Sequence, residues 1–222
     1  MSYGIGWAVG SPALLPALNT LASFPLMVAA LRRGDLHAAV ARMLLWALTM
    51  AVAATLLSAL SPADTESLFV RSGDYRREMF TWVLTGRGAE SSPSIFIPQQ
   101  AGHAVLFSSL ALASGGVLAM PMGAVLMNYM GHYVGTLAAM SPHPTLLMLL
   151  GWHPWAVIRV ISFVVLGVVL SAPLLSRLFR FRVDWPAARR LAAGAGCGLI
   201  ADVVLKTLLA PAWQRLLLRV LG

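Results

Sequence analysis

Apolar residues fill most of the chain in long runs, and short polar stretches punctuate them. A membrane span needs about 20 predominantly apolar residues in a helix that rises 1.5 Å per residue. Six stretches approach that length: residues 5–31, 38–60, 102–120, 121–140, 156–176 and 191–211. The first carries Pro12, Pro16 and Pro25, so it is expected to be kinked or partly unwound. Arg32-Arg33-Gly34-Asp35 forms a short hinge to the second. Residues 61–101 are the one long polar stretch, with Asp64, Glu66, Arg71, Asp74, Glu78, Arg87 and Glu90 among their charges, and are expected as an extramembrane loop. Within it, residues 75–84 set Phe80, Trp82 and Leu84 beside two arginines, the pattern of a short interfacial helix.

Residues 102–140 are too long for one span and barely long enough for two. Gly115, Gly116, Pro121 and Gly123 near the middle suit a tight hairpin or a break. Charge arbitrates. With two spans here, Arg32, Arg33, Arg42, Arg177, Arg180, Arg182, Arg189 and Arg190 share one side; with a single crossing the two arginine clusters fall on opposite sides. The positive-inside rule prefers the first arrangement. The expected fold is therefore all-α: a polytopic transmembrane helical bundle of about six spans in one integral membrane domain, residues 1–222. Both termini lie outside the cell (inner or plasma) membrane. No positive n-region or small-residue cleavage site precedes Arg32, so the first apolar run is expected to stay as a span. No internal repeat of the inverted-transporter kind is visible.

Composition agrees. The 222 residues are 59% hydrophobic and 11% charged, against about 25% charged in a typical soluble domain. That excludes a soluble enzyme, a secreted disulfide scaffold and a disordered chain. The net charge of +8 comes from sixteen basic residues, fifteen of them arginine. In such a chain the excess reads as loop charge facing anionic lipid rather than a nucleic-acid surface. The lone Cys197 cannot close a disulfide within the chain.

Enzyme motifs are absent: no His-Glu-x-x-His, no phosphate-binding Gly-x-x-x-x-Gly-Lys-Ser/Thr, no Gly-x-Ser-x-Gly. Ser114 is followed by two glycines but has no nearby base. No paired Asp/Glu cluster of the Mg²⁺-holding type occurs, and no cofactor can be named.

Polar residues inside the apolar runs carry the remaining information, because a charge in hydrocarbon costs about 2.5–3.5 kcal/mol even on lenient insertion scales. Asp202 and Lys206 stand four apart on one helix face and can pair. Either they neutralise each other against neighbouring helices, with Lys206 snorkelling outward, or Asp202 serves an ion or proton path. Asp202 lies about 16 Å into its span, and His132 and Asn19 come out at similar depth. Together with Asn128 they define an expected midplane polar layer, either a proton relay or a set of interhelical hydrogen bonds that fixes the bundle's register.

Two groups of residues suggest a metal, each with a blander alternative. Met120, Met122, Met127 and Met130 precede His132 and could suit Cu(I), but their spacing does not put all four on one face, and methionine is an ordinary packing residue. His103, His143 and His153 are weak candidates for a metal on the outer side. Ser141-Pro-His-Pro and Trp152-His-Pro-Trp read more readily as an aromatic belt with solvated histidines. Arg159 is expected to snorkel to that surface or pair with an acid of residues 61–101. Gly131 and Gly135, and the small residues 192–198, mark faces for close helix packing, in this chain or with another. Trp213 to Arg219 reads as an interfacial tail.

Two functions fit. One is a transport or permease protein, coupled to protons or an ion through the midplane layer. The other is a non-catalytic integral subunit of a larger membrane complex, held by the small-residue faces. The expected partners are the lipid bilayer and other protein chains or copies of itself.

Overall fold

The computed structural model describes residues 2–222, which form helices and turns with no strand among the described residues. The proline-rich first run is three helices: α1 (Ser2–Val9), α2 (Leu15–Leu21) and α3 (Ser23–Arg32). Gly10, at φ +65°, ends α1, and Pro16 sits in the first turn of α2. The hinge at Gly34 (φ +75°) leads to α4 (Leu36–Leu60), whose N-terminus is capped by Asp35 accepting from the Ala38 amide at 2.8 Å.

The expected loop 61–101 is largely helical. It holds α5 (Pro62–Leu68), α6 (Ser72–Thr85) and a 3-10 turn (Ala89–Ser91), and α7 (Pro93–Ser114) already begins at Pro93. Proline at the first helical position is preorganised for a helix start. The polar residues Gln99, Gln100 and His103 sit on the first turns of α7 and line an internal cavity. They depress the hydropathy of a stretch that is nonetheless helical. The interfacial helix expected at 75–84 corresponds to α6, which buries Met79, Trp82 and Val83.

Residues 102–140 turn back once, at Gly115 (φ +60°) and Gly116 (φ +92°), between α7 and α8 (Ala119–Ala139). The chain continues through α9 (Pro144–Gly151), α10 (Pro154–Phe179) and α11 (Trp185–Leu221), the last capped by Asp184 accepting from the Ala187 amide at 3.0 Å.

Five helical stretches are long and apolar enough to cross a membrane: Leu15–Arg32, Leu36–Leu60, Pro93–Ser114, Pro154–Phe179 and Trp185–Leu221. α8 is not one of them. It is the central helix, with most of its residues buried, and its tightest neighbour is α4. Gly131 and Gly135 make that approach: a Cβ on Gly135 would meet the Thr55 carbonyl oxygen and come within 2.8 Å of the Ala59 amide. The partner of this Gly-x-x-x-Gly face is thus α4 of the same chain.

Two apolar clusters occupy opposite parts of the bundle. One packs Met27, Leu31, Leu36, Val168, Leu175 and Ala188 close to the arginine-rich turns. The other packs Trp82, Tyr133, Leu147, Trp155 and Leu217 under α6 and α9.

Candidate functional site

Antiparallel neighbours α10 and α11 each present a pair of residues four apart: Trp155 and Arg159 on one, Asp202 and Lys206 on the other. That spacing puts each pair on one face, one turn apart. The two pairs build two rungs. In the first, Arg159 holds Asp202 with both ends of a fork, Nε to Oδ2 at 2.9 Å and Nη2 to Oδ1 at 3.1 Å, and Gln100 of α7 also donates to Asp202. In the second, Lys206 Nζ donates to Glu90 Oε1 at 2.7 Å and Trp155 Nε1 to Glu90 Oε2 at 3.3 Å. The Lys206 ammonium also lies 4.3 Å from the centre of the Phe96 ring.

Asp202 and Lys206 share one helix face and are both buried, but they do not pair with each other: each takes a different partner. A fork–fork pair with Arg159 satisfies both carboxylate oxygens of a fully buried Asp202, which a single ammonium could not do. Lys206 does not snorkel outward: the 3-10 turn brings a carboxylate down to it. Arg159 neither snorkels to the surface nor pairs with an acid of residues 61–101, the two expectations for it, but holds Asp202. The acid from that stretch, Glu90, instead meets Lys206. Burial alone would raise the Glu90 carboxyl; Lys206, Arg159 and His153 outweigh it and hold the group below its ordinary value.

His132 lies elsewhere, on α8. Its Nδ1 is 3.2 Å from Thr65 Oγ1 and 3.3 Å from Ser58 Oγ, the Phe69 ring meets it edge-on, and Nε2 is buried without a partner. Asn128 accepts from the Tyr3 hydroxyl at 2.7 Å. Both amide atoms of Asn19 are buried and unpartnered, and only its backbone oxygen is used, by Trp46 Nε1 at 2.9 Å. Among the described residues no hydrogen bond joins Asn19, Asn128 or His132 to Asp202 or Lys206, so the polar residues form separate clusters rather than one connected layer.

The three histidines that are weak metal-ligand candidates also stand apart. His103 is on α7, His143 precedes α9 on the surface, and His153 is buried, stacked on Trp155 at 4.8 Å and edge-on to Trp82. Among the described residues no group of three His, Cys, Asp or Glu is placed to hold a metal. Burial pushes the His153 imidazole down to about 4, so it is neutral near pH 7.

A cavity of about 590 Å³ opens beside the ion pairs. Its polar end is lined by Arg159, Lys206, Glu90, Gln100 and His103, and its apolar end by Met27, Met43, Trp46, Phe107, Met120 and Phe163. Met122, Met127 and Met130 line it as well, whereas His132 does not, so the methionines form a wall and do not gather around His132. Asp202 is behind this wall: at 0% exposure it braces Arg159, whose side chain keeps 26% of its surface accessible.

Glu90 and Gln100 are the site residues that the sequence did not single out. The available signal was charge balance: two intramembrane cations, Arg159 and Lys206, require two anions, and only Asp202 lies in the same apolar runs.

No protein-family model, curated protein or solved structure matches this chain. Its class rests on the fold alone: an all-helical chain, with five helices apolar enough to cross a membrane, that encloses a cavity with one charged and one apolar end.

Proposed function

We propose that the chain is a multi-pass membrane protein of transport or permease type, with the cavity between α7, α8 and α10 as its substrate path. The observation that carries this reading is the pair of buried ion bridges, Arg159–Asp202 and Lys206–Glu90, at the end of a cavity about 590 Å³ in volume. Ionisable groups are costly inside a membrane and mark ion or substrate pathways by default, and a cavity of this size falls in the range of small-molecule sites. Coupling to a proton or ion would run through these carboxylates, with His132, Asn19 and Asn128 as separate polar positions on the far side of α8.

In this reading the bundle crosses the membrane six times, with α8 as the sixth crossing. Its 21 residues span about 31 Å, and its low hydropathy reflects burial against protein rather than lipid. The turns at 33–35, 115–118 and 180–184 then share the arginine-rich cytoplasmic side, and both termini lie outside. Contacts agree with that grouping: Arg32 stacks over Phe179, Gly115 faces Leu174 and Leu175, and Gly116 faces Met27.

Purified protein in liposomes loaded with a pH-sensitive dye tests this function. Wild type should dissipate an imposed proton gradient, and Asp202→Asn should abolish the flux in the fraction that still elutes as a monodisperse peak. Flux unchanged in Asp202→Asn, or absent from wild type, would end the reading. A second reading, a non-catalytic subunit of a larger complex, draws on α11, where Gly194 and Gly196 face open space. Mild-detergent purification with a stoichiometric protein partner would support it.

A further inference from the structure

The two ends of the cavity differ in chemistry, and a single occupant has to satisfy both. At the apolar end Met27, Met43, Phe107 and Phe163 offer no hydrogen bond to water or to a hydrated ion, and a cavity so lined is dry or holds an apolar group. At the polar end both anions are already engaged. Asp202 accepts from Arg159 and Gln100, and Glu90 accepts from Lys206 and Trp155. The cations are not saturated. Asp202 occupies only the Nε/Nη2 edge of the Arg159 guanidinium, which leaves the Nη1 edge free. Lys206 spends one of its three donors on Glu90. The unspent groups at this end are thus the positively charged donors of Arg159 and Lys206, with the Gln100 amide oxygen as an unpartnered acceptor beside them. Arg71, Asp74 and Glu78 also line the cavity, and Asp74 is paired with Arg77.

We infer that the cavity binds an anionic amphiphile with a single hydrocarbon chain. The phosphate or carboxylate head sits at the free edge of Arg159, near Lys206, and the chain lies between Met27, Met43, Phe107 and Phe163. Guanidinium forks suit both oxyanions, so phosphate and carboxylate heads share this chemistry. The inference deepens the transport reading by naming its substrate class and rests on the same cavity, but binding and flux can be measured separately.

Native mass spectrometry of the full-length protein in detergent, titrated with oleoyl lysophosphatidate, oleate or oleoyl lysophosphatidylcholine, provides the test. Wild type should bind one molecule of an anionic probe at least tenfold more tightly than the zwitterionic one. The better of lysophosphatidate and oleate identifies the head. Two variants separate head from tail. The double variant Arg159→Gln/Asp202→Asn keeps a neutral, hydrogen-bonded pair and should lose the preference for anionic heads. Gly123→Leu places a side chain in the apolar end, where a Cβ lies 3.8 Å from Phe107 and 4.0 Å from Trp46 and so is accommodated. It should weaken all three probes at least tenfold while the charges stay in place. Equal binding of the three probes to wild type, an unchanged anionic preference in the double variant, or undiminished binding in Gly123→Leu would each overturn the inference. Saturable anionic binding without proton flux would retain this inference and sink the transport reading. Flux without anionic preference would do the reverse.

Discussion

Replacing Lys206 by methionine isolates the energetics of the buried rungs. At 2.7 Å, the attraction between Lys206 and Glu90 is about 6 kcal/mol at an effective dielectric near 20, and it offsets the desolvation of both ions. Methionine keeps an unbranched side chain one atom shorter than lysine but removes the ammonium from Phe96 and leaves Glu90 enclosed without its principal cation. Removing one partner of a buried pair costs about 3–5 kcal/mol, which corresponds to a fall in melting temperature of roughly 6–20 °C for a chain of this size. The pH dependence gives the sharper readout. In wild type Glu90 is held below its ordinary value of 4.5, so its contribution to stability is present above pH 4.5 and lost as pH falls through the lower folded value. Without Lys206, burial dominates and raises the group. The variant's penalty then appears as pH rises above 4.5 and is relieved in acid by protonation. Thermal melts followed by circular dichroism in detergent should show a deficit relative to wild type that is large at pH 7.5 and shrinks toward pH 4.5. The double variant Glu90→Gln/Lys206→Met, which keeps an acceptor for Trp155 and no charge, should recover most of the loss at pH 7.5. A deficit that is independent of pH, or a double variant no more stable than the single one, would refute the reasoning.

Two further outcomes follow from packing and titration. Gly135→Ala should destabilise by about 1–3 kcal/mol, because overpacking against the α4 backbone outweighs alanine's helix propensity, whereas Gly194→Ala, with open space around it, should be neutral or slightly stabilising; equal melting temperatures for the pair would contradict the close α4–α8 contact. Because the folded protein keeps His153 neutral down to about pH 4 against 6.5 for a free imidazole, stability should fall by roughly 3 kcal/mol as pH drops from 6.5 to 4, and His153→Phe, which retains stacking on Trp155, should flatten that fall; an identical acid slope in the two proteins would count against it.

Local chemistry in the sequence determined the class of structure and most of its punctuation. Unbroken apolar runs leave a chain no stable alternative in lipid to helices that satisfy their own backbone. Gly34, Gly115 and Gly116 mark where helices stop, and Pro62, Pro93, Pro144 and Pro154 mark where others start, since these residues act through their own φ or missing donor and need no distant partner. The start of α7 at Pro93 was hidden because its polar residues turn into a cavity, and hydropathy cannot tell a lipid-facing position from a protein-facing one. The same reason makes α8 look too polar for its central place.

Partner choice was decided only by tertiary structure. Asp202 and Lys206 advertise their need for counter-charges, but geometry determines which charge arrives. The α10–α11 contact brings the Arg159 fork to Asp202, and the short turn at 89–91 lowers Glu90 onto Lys206. Likewise the Gly131/Gly135 face announces a close contact, and only the packed bundle makes α4 its partner. Periodicity and composition are properties of neighbours along the chain, whereas a buried ion pair joins residues more than forty positions apart, whose distance is set by the packing of every helix between them.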